Sequence, residues 1–103
     1  MTRLNWHEIA PDSVAMHVNG GALPHECIFL MAHAFASDHF SGVLQVPSYA
    51  KWLATHDIRP AFQFHRRMLQ LLQWRCPGER WLLKAPSHLS VLPALFAVYP
   101  DAR

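Results

Sequence analysis

Residues 80–88 read Arg-Trp-Leu-Leu-Lys-Ala-Pro-Ser-His, and this stretch decides the predicted fold. Its central run of apolar residues is typical of a β-strand that is buried on both faces, so a core strand is predicted over residues 80–85. Pro86 cannot continue the hydrogen bonding of a strand, and the serine that follows it is a good N-cap. The sequence therefore predicts a strand followed directly by a helix over residues 88–98, bent in its first turns by Pro93.

Helical patterns dominate the chain upstream of this stretch. The spacing of apolar residues predicts a mostly buried helix from Pro24 to about Phe40, a short helix over residues 48–55 and a longer one from about Pro60 to Arg75. Residues 37–45 are ambiguous and are interpreted as a loop. Residues 1–22 show no clean period and are predicted to be an irregular lead-in to the domain.

A strand, a helix and a turn together form the first two thirds of a βαβ unit, whose next strand is expected just after Arg103. A single buried strand also leaves both of its edges without hydrogen-bond partners. We therefore expect an α/β fold that is mostly helical, with residues 23–103 forming part of a domain. Its other strands would come from missing parts of that domain or from another copy of the chain.

The composition is that of a globular protein. Of the 103 residues, 51% are hydrophobic and 16% are charged, which excludes a disordered tail. The net charge of +2 is too small for nucleic acid binding. No apolar segment of a secretory signal follows Met1, and the longest apolar run, residues 27–36, is too short to span a bilayer. The two cysteines are expected to be free thiols, so a cytoplasmic protein is predicted.

Two residues of the deciding stretch could carry chemistry. Lys84 ends the predicted strand, at the edge where open α/β sheets bind their ligands, and His88 follows in the first turn of the next helix. A helix N-terminus disfavours imidazolium, so a neutral His88 could accept a proton while Lys84 supplies a positive charge. This pair suits transfer of an anionic group to a hydroxyl. The alternative is that His88 only caps or packs.

Other candidate sites are weaker. Eight histidines invite a metal interpretation, but His33 and His39 fall on different helix faces and His7-Glu8 lacks the second histidine of HExxH, so no metal site is expected. The run from His65 to Arg67 is interpreted as a solvated helix face rather than an anion site. Four aromatic residues are interpreted as core rather than as an acceptor pocket: Trp52, Phe62, Phe64 and Trp74.

Several of these segments resemble bacterial sulfotransferases. The resemblance rests on Pro77-Gly78-Glu79-Arg80-Trp81-Leu82-Leu83-Lys84-Ala85-Pro86-Ser87-His88-Leu89, on Tyr99-Pro100-Asp101-Ala102-Arg103, and on the upstream pieces at residues 24–27 and 46–53. It covers about residues 22–103. It implies a P-loop-like α/β fold and transfer of a sulfuryl group from 3′-phosphoadenylyl sulfate (PAPS) to a hydroxyl or amine of a small-molecule or lipid acceptor.

The resemblance also implies roles for individual residues. Lys84 matches the family lysine that stabilises the transition state beside the sulfuryl group. His88 matches the family histidine that acts as a base or positions the acceptor. Related sulfotransferases sometimes use a glutamate as the base, which makes Glu26 a second candidate.

Two elements of the family pattern are missing from this sequence. One is the phosphate-binding loop of the Arg-Ser-Gly-Thr type, and the other is the strand that ends in Arg-Asp-Pro and holds the 3′-phosphate. Because these elements supply most of the phosphate contacts, no cofactor-binding residues are assigned, and the chain is expected to be a fragment that is inactive alone. The alternative is a small helical protein-interaction module that performs no chemistry.

Overall fold

Helices account for all the regular secondary structure in the part of the chain that the computed structural model describes, residues 11–12 and 23–103. Five α-helices and one 3₁₀ helix lie in these residues: α1 (Cys27–Ala32), α2 (His39–Val43), α3 (Pro47–Thr55), α4 (Arg59–Arg75), the 3₁₀ helix (Pro86–Ser90) and α5 (Leu92–Val98). The irregular lead-in predicted for residues 1–22 falls almost entirely outside the described residues.

The core lies where α4 packs between α1 and α5. Phe62 of α4 is fully buried, and Met31 of α1 and Leu95 and Val98 of α5 belong to the same apolar cluster. Full burial of one such side chain stabilises the fold by about 1.5–3 kcal/mol. The 17-residue helix α4 is therefore the element around which the others are arranged.

The predicted helices over residues 48–55 and from about Pro60 to Arg75 are confirmed, each beginning one residue earlier than predicted. Both have a proline in the first turn, Pro47 in α3 and Pro60 in α4. A proline is tolerated there because the first backbone N–H groups of a helix have no intrahelical partner.

The single helix predicted from Pro24 to Phe40 is wrong in its extent. Helix α1 ends at Ala32, and a turn follows in which Phe35 has a φ of 52°. The physical reason is the buried Ser37, whose hydroxyl donates a 2.7 Å hydrogen bond to the carbonyl of Ile28 in α1. Helix α2 then falls inside the segment that was interpreted as a loop.

The core strand predicted over residues 80–85 is not confirmed. The segment is extended at Ala85, with φ −159° and ψ 132°, but no β-ladder occurs anywhere in the described residues. A strand exists only when a neighbouring strand exchanges backbone hydrogen bonds with it. Leu82 is accordingly 96% exposed rather than buried on both faces. Within residues 11–12 and 23–103, the helical part of the expected fold is therefore observed, and the α/β core is not.

The helix predicted over residues 88–98 is in fact two elements. The 3₁₀ helix ends at Ser90, Val91 has φ −135° and ψ 25°, and α5 begins at Leu92. Pro93 sits in the first turn of α5, where its missing N–H costs nothing, instead of bending a longer helix.

Candidate functional site

An ion pair joins Lys84 to the start of α1. The ammonium Nζ of Lys84 donates to the carboxylate Oε1 of Glu26, 58 residues away in sequence. The backbone supports this contact, because the N–H of Cys27 donates to the carbonyl of Lys84 at 2.9 Å. The segment that carries Lys84 is thus held against α1 by one backbone bond and one side-chain ion pair.

The two side chains differ in their exposure. The Lys84 side chain is 60% exposed, whereas that of Glu26 is 19% exposed. Glu26 is the N-cap residue of α1, with φ −78° and ψ 155°, yet its side chain makes no capping hydrogen bond. The Glu26 carboxylate therefore pairs with Lys84 instead of capping α1. The Lys84 ammonium is exposed to solvent with this carboxylate beside it.

His88 lies below the surface. It is 9% exposed, its ring centroid is 5.6 Å from that of Phe62 in the core, and its Nε2 has no hydrogen-bond partner among the described residues. Burial lowers the pKa of His88, and the Asp38 carboxylate opposes this shift. A neutral His88 was also the expectation from sequence, but the cause is burial rather than a helix N-terminus. No hydrogen bond joins His88 to Lys84, although both lie in the described part of the chain.

A second buried histidine lies close to His88. His65 of α4 is 0% exposed, and its Nδ1 is 2.7 Å from the hydroxyl oxygen of Tyr99. Burial, followed by the nearby His88, lowers the pKa of His65 to about 4. Burial also raises the pKa of Tyr99 to about 12. The interpretation of His65 as part of a solvated face is therefore wrong.

No group of three or more histidine, cysteine or acidic side chains is arranged to hold a metal ion within residues 11–12 and 23–103. In the same part of the chain, no helix combines the length and the apolar character needed to cross a membrane.

Comparison with known proteins assigns the chain to a family. The family model described as "Sulfotransferase family" matches residues 2–103. The chain belongs to the sulfotransferase family. No curated protein and no solved structure matches this sulfotransferase sequence. The family match agrees with the resemblance carried by the stretch around Lys84, and it covers nearly the whole chain.

A row of aromatic rings crosses the surface of this sulfotransferase. We call it the aromatic row, and successive ring centroids along it lie 4.0–5.9 Å apart. Each member is exposed or half-buried. The row runs from His25 through Phe29, His39, Phe40 and Tyr49 to Trp52. Because His25 directly precedes Glu26, one end of the row adjoins the ion pair with Lys84.

The aromatic row was missed in the sequence. Trp52 and Trp74 were expected to be core residues but are 41% and 76% exposed, and of that expected set only Phe62 is fully buried. The available signal was the placement of Phe29 and Trp52 on short helices. Such helices can bury only a narrow face, which leaves the other rings at the surface.

Proposed function

We propose that this sulfotransferase chain carries the acceptor side of a site that transfers a sulfuryl group from PAPS to a hydroxyl or amine. The observation that supports it best is the ion pair of Lys84 with Glu26, which sets a cation and a proton acceptor side by side. These are the two groups that sulfuryl transfer to a hydroxyl requires. The exposed ammonium of Lys84 fits the sulfuryl end of the donor, whose oxygens it can hold, whereas no residue of this chain is assigned to the phosphates of the nucleotide.

The proposed step can be written with its atoms balanced. The acceptor oxygen forms a bond to sulfur while the bond between sulfur and the bridging oxygen of the donor breaks. Adenosine 3′,5′-bisphosphate leaves with the bonding electrons, and the acceptor proton passes to the carboxylate of Glu26. Lys84 offsets the negative charge that develops on the bridging oxygen. PAPS supplies the sulfuryl group and the leaving group when bound.

The ion pair suggests how the two groups would be held ready. Without substrate, Lys84 and Glu26 satisfy each other, and Glu26 has little exposure to water. When a sulfonate approaches, Lys84 can turn toward it because most of its side chain is exposed. That movement would leave the Glu26 carboxylate beside the acceptor, ready to take its proton.

His88 is the other candidate base and stays a prediction. Its Nε2 is enclosed against the core, so an acceptor could reach it only after the 3₁₀ helix had moved. Its observed contacts fit a positioning role: the ring packs against Phe62 with centroids 5.6 Å apart, and the backbone N–H of His88 donates to the carbonyl of Ala85 at 3.1 Å, so the ring anchors the turn that follows Lys84 to the core. We therefore propose Glu26 as the base and His88 as a positioning residue.

The test is transfer of labelled sulfuryl from PAPS by the protein that contains this chain. Lys84→Ala should abolish turnover with the circular dichroism spectrum unchanged, and Lys51→Ala, which removes the other lysine of the chain, should not reduce it. Glu26→Gln should lower kcat about a hundredfold or more, the contribution typical of general base catalysis. Full turnover in Lys84→Ala would refute the proposal, and loss of turnover in His88→Gln with retention in Glu26→Gln would assign the base to His88.

The fragment interpretation stays a prediction, as does the inactivity of the 103 residues alone. It is tested by whether adenosine 3′,5′-bisphosphate raises the melting temperature of this chain, since a ligand that binds only the folded state must do so.

The alternative of a helical interaction module draws on the exposed apolar side chains Leu82, Leu89 and Trp74, which are 96%, 79% and 76% exposed. Patches of this kind can mark interaction surfaces. The family match favours the sulfotransferase, and an interaction module would show no thermal shift with the nucleotide.

A further inference from the structure

The turn that carries Lys84 is anchored to the core by a titratable side chain. We call residues 84–90 the Lys84 turn. The 3₁₀ helix of this turn buries a single side chain, that of His88, and leaves the aliphatic side chain of Leu89 exposed. The ring of His88 packs against Phe62 of α4, with centroids 5.6 Å apart. An element with so little buried surface can open locally while the rest of the fold stays intact.

Three backbone hydrogen bonds stabilise the Lys84 turn. The N–H of His88 donates to the carbonyl of Ala85, and the N–H of Val91 donates to the carbonyl of His88, both at 3.1 Å. The N–H of Cys27, the first residue of α1, donates to the carbonyl of Lys84 at 2.9 Å. The first N–H groups of a helix have no intrahelical partner, so the Lys84 turn supplies the acceptor for Cys27. Release of the turn from α4 would break this bond and separate Lys84 from α1.

The surroundings of His88 favour an uncharged imidazole. Its Nε2 has no hydrogen-bond partner among the described residues, and the Nε2 of the neighbouring His65 has none either. The Nδ1 of His65 lies 2.7 Å from the hydroxyl oxygen of Tyr99. A charge that is buried without a hydrogen-bonded partner is strongly unfavourable. A proton on His88 is therefore accommodated better in water than against Phe62.

One carboxylate acts on His88 from outside the turn. Burial lowers the pKa of His88, and the smaller effect of Asp38, which precedes α2, opposes this shift. Within the described residues no carboxylate is hydrogen-bonded to the Nε2 of either buried histidine. Burial raises the pKa of the Cys27 thiol, and it raises the pKa of Tyr99 to about 12, so neither group titrates in mild acid. Two charged groups act on this thiol and this phenol, respectively: Glu26 beside α1 and Arg66 of α4.

We infer that His88 makes the Lys84 turn a pH-sensitive switch: a proton bound at this histidine releases the turn from α4 and separates Lys84 from Glu26, while the rest of the fold stays intact. In the released turn the imidazole is in water and binds a proton below about pH 6.5, whereas in the docked turn it does so only at lower pH. Acid therefore favours the released turn. Its population should rise by as much as about twentyfold between about pH 7 and about pH 5. The consequence for catalysis, a reversible loss of turnover in mild acid, rests on the proposed function.

Hydrogen exchange of backbone amides tests the switch on the full chain, without PAPS and without turnover. The reporters are the N–H groups of Cys27, His88 and Val91, and the reference is the middle of α4, residues 66–70. Each protection factor is corrected for the intrinsic effect of pH on exchange. We expect protection of the reporters to fall by up to about twentyfold from about pH 7 to about pH 5. Low concentrations of urea should not change it, because local opening exposes little surface, whereas global unfolding depends on urea.

Two variants assign the effect to His88. His88→Gln removes the titrating ring and should abolish the pH dependence at Cys27 and Val91. The matched control His33→Gln replaces an exposed histidine and should keep this dependence. His88→Phe, which keeps a ring against Phe62, replaces His88→Gln if the latter does not fold.

Each outcome decides the inference. Protection of the reporters that stays constant with pH, or that falls equally in His88→Gln, would refute the switch. A fall that depends on urea as the reference amides do would also refute it, since it would report global unfolding. Failure of the proposed function alone would look different. In that case the reporters would respond to pH as expected, but Lys84→Ala would keep full turnover.

Discussion

Mild acid should destabilise this fold through His65. This histidine is 0% exposed on the inner face of α4, and it is faced by the hydroxyl of Tyr99 after α5 and by His88 of the 3₁₀ helix. Its Nδ1 is hydrogen-bonded to Tyr99, while its Nε2 has no partner among the described residues. Protonation would give both nitrogens a hydrogen, and the charge would be buried with a single polar neighbour. Burial accordingly lowers the pKa of His65 to about 4.

The sign and size of the effect follow from proton linkage. The unfolded chain binds a proton at His65 below a pKa of about 6.5, whereas the folded chain does so only below a pKa of about 4. Between these values the unfolded state holds up to one more proton, so the free energy of unfolding falls as pH falls. Going from about pH 7 to about pH 5 should cost about 2 kcal/mol, or a melting temperature lower by roughly 10 °C. His88 adds to the loss, because burial lowers its pKa too.

Urea denaturation followed by circular dichroism, repeated at half-unit steps of pH, measures this slope. The variant His65→Gln should flatten it, whatever its stability at neutral pH. The matched control is His33→Gln, which replaces an exposed histidine and should keep the slope of the parent chain. A free energy of unfolding that stays constant from about pH 7 to about pH 5 would refute the reasoning. So would a slope that is equal in the His65 variant and its parent.

Two further predictions concern packing and the turn after α1. Phe62→Ala should lower the free energy of unfolding by about 3–5 kcal/mol, because it leaves a cavity in the core. Trp74→Ala, at an exposed position, should change the free energy of unfolding by less than about 0.5 kcal/mol. Urea denaturation of both variants measures this difference. Tyr49→Phe should cost about 1–3 kcal/mol, because the N–H of the buried Ser37 loses its acceptor, and the exchange of that amide with deuterium should quicken. Unchanged exchange at Ser37 would contradict this account of the turn.

Helices α3 and α4 could be predicted from the sequence because the residues that mark them lie within the helices themselves. A proline in the first turn and an apolar stripe are visible in the sequence without any tertiary information. The end of α1 was not predictable in this way. It depends on the hydroxyl of Ser37 bonding to the carbonyl of Ile28, and on Tyr49 holding the turn from another helix. Hydrogen bonds between segments that are distant in the chain produce no periodic pattern in the amino-acid sequence.

The placement of His65 could have been found. Ala61, Phe62, His65 and Leu69 are all buried and fall on one face of α4 at helical spacing. The interpretation failed because His65 was grouped with the two arginines that follow it, which point to other faces of the same helix. The helical repeat, rather than adjacency in the sequence, decides which residues lie on the same face of a helix.

The extended segment around Lys84 shows that a run of apolar residues alone does not establish a β-strand. A run of three apolar residues predicts a buried strand only if other strands cover it. Among the described residues the segment has one backbone bond to another element, from the N–H of Cys27 to the carbonyl of Lys84. Its side chains therefore stay exposed, as with Trp81 and Leu82. The same bond fixes the position of Lys84 without a sheet.

The contact of Lys84 with Glu26 is the part of the site that sequence could not supply. Each residue was a candidate for its own reason, but nothing in a separation of 58 positions indicates that the two side chains meet. Their meeting also changes the assignment of roles. With His88 enclosed against Phe62 and the Glu26 carboxylate at the Lys84 ammonium, the proposed function gives the role of proton acceptor to the carboxylate. On the same proposal, the buried histidine acts only through its packing against Phe62, which anchors the turn from which Lys84 projects.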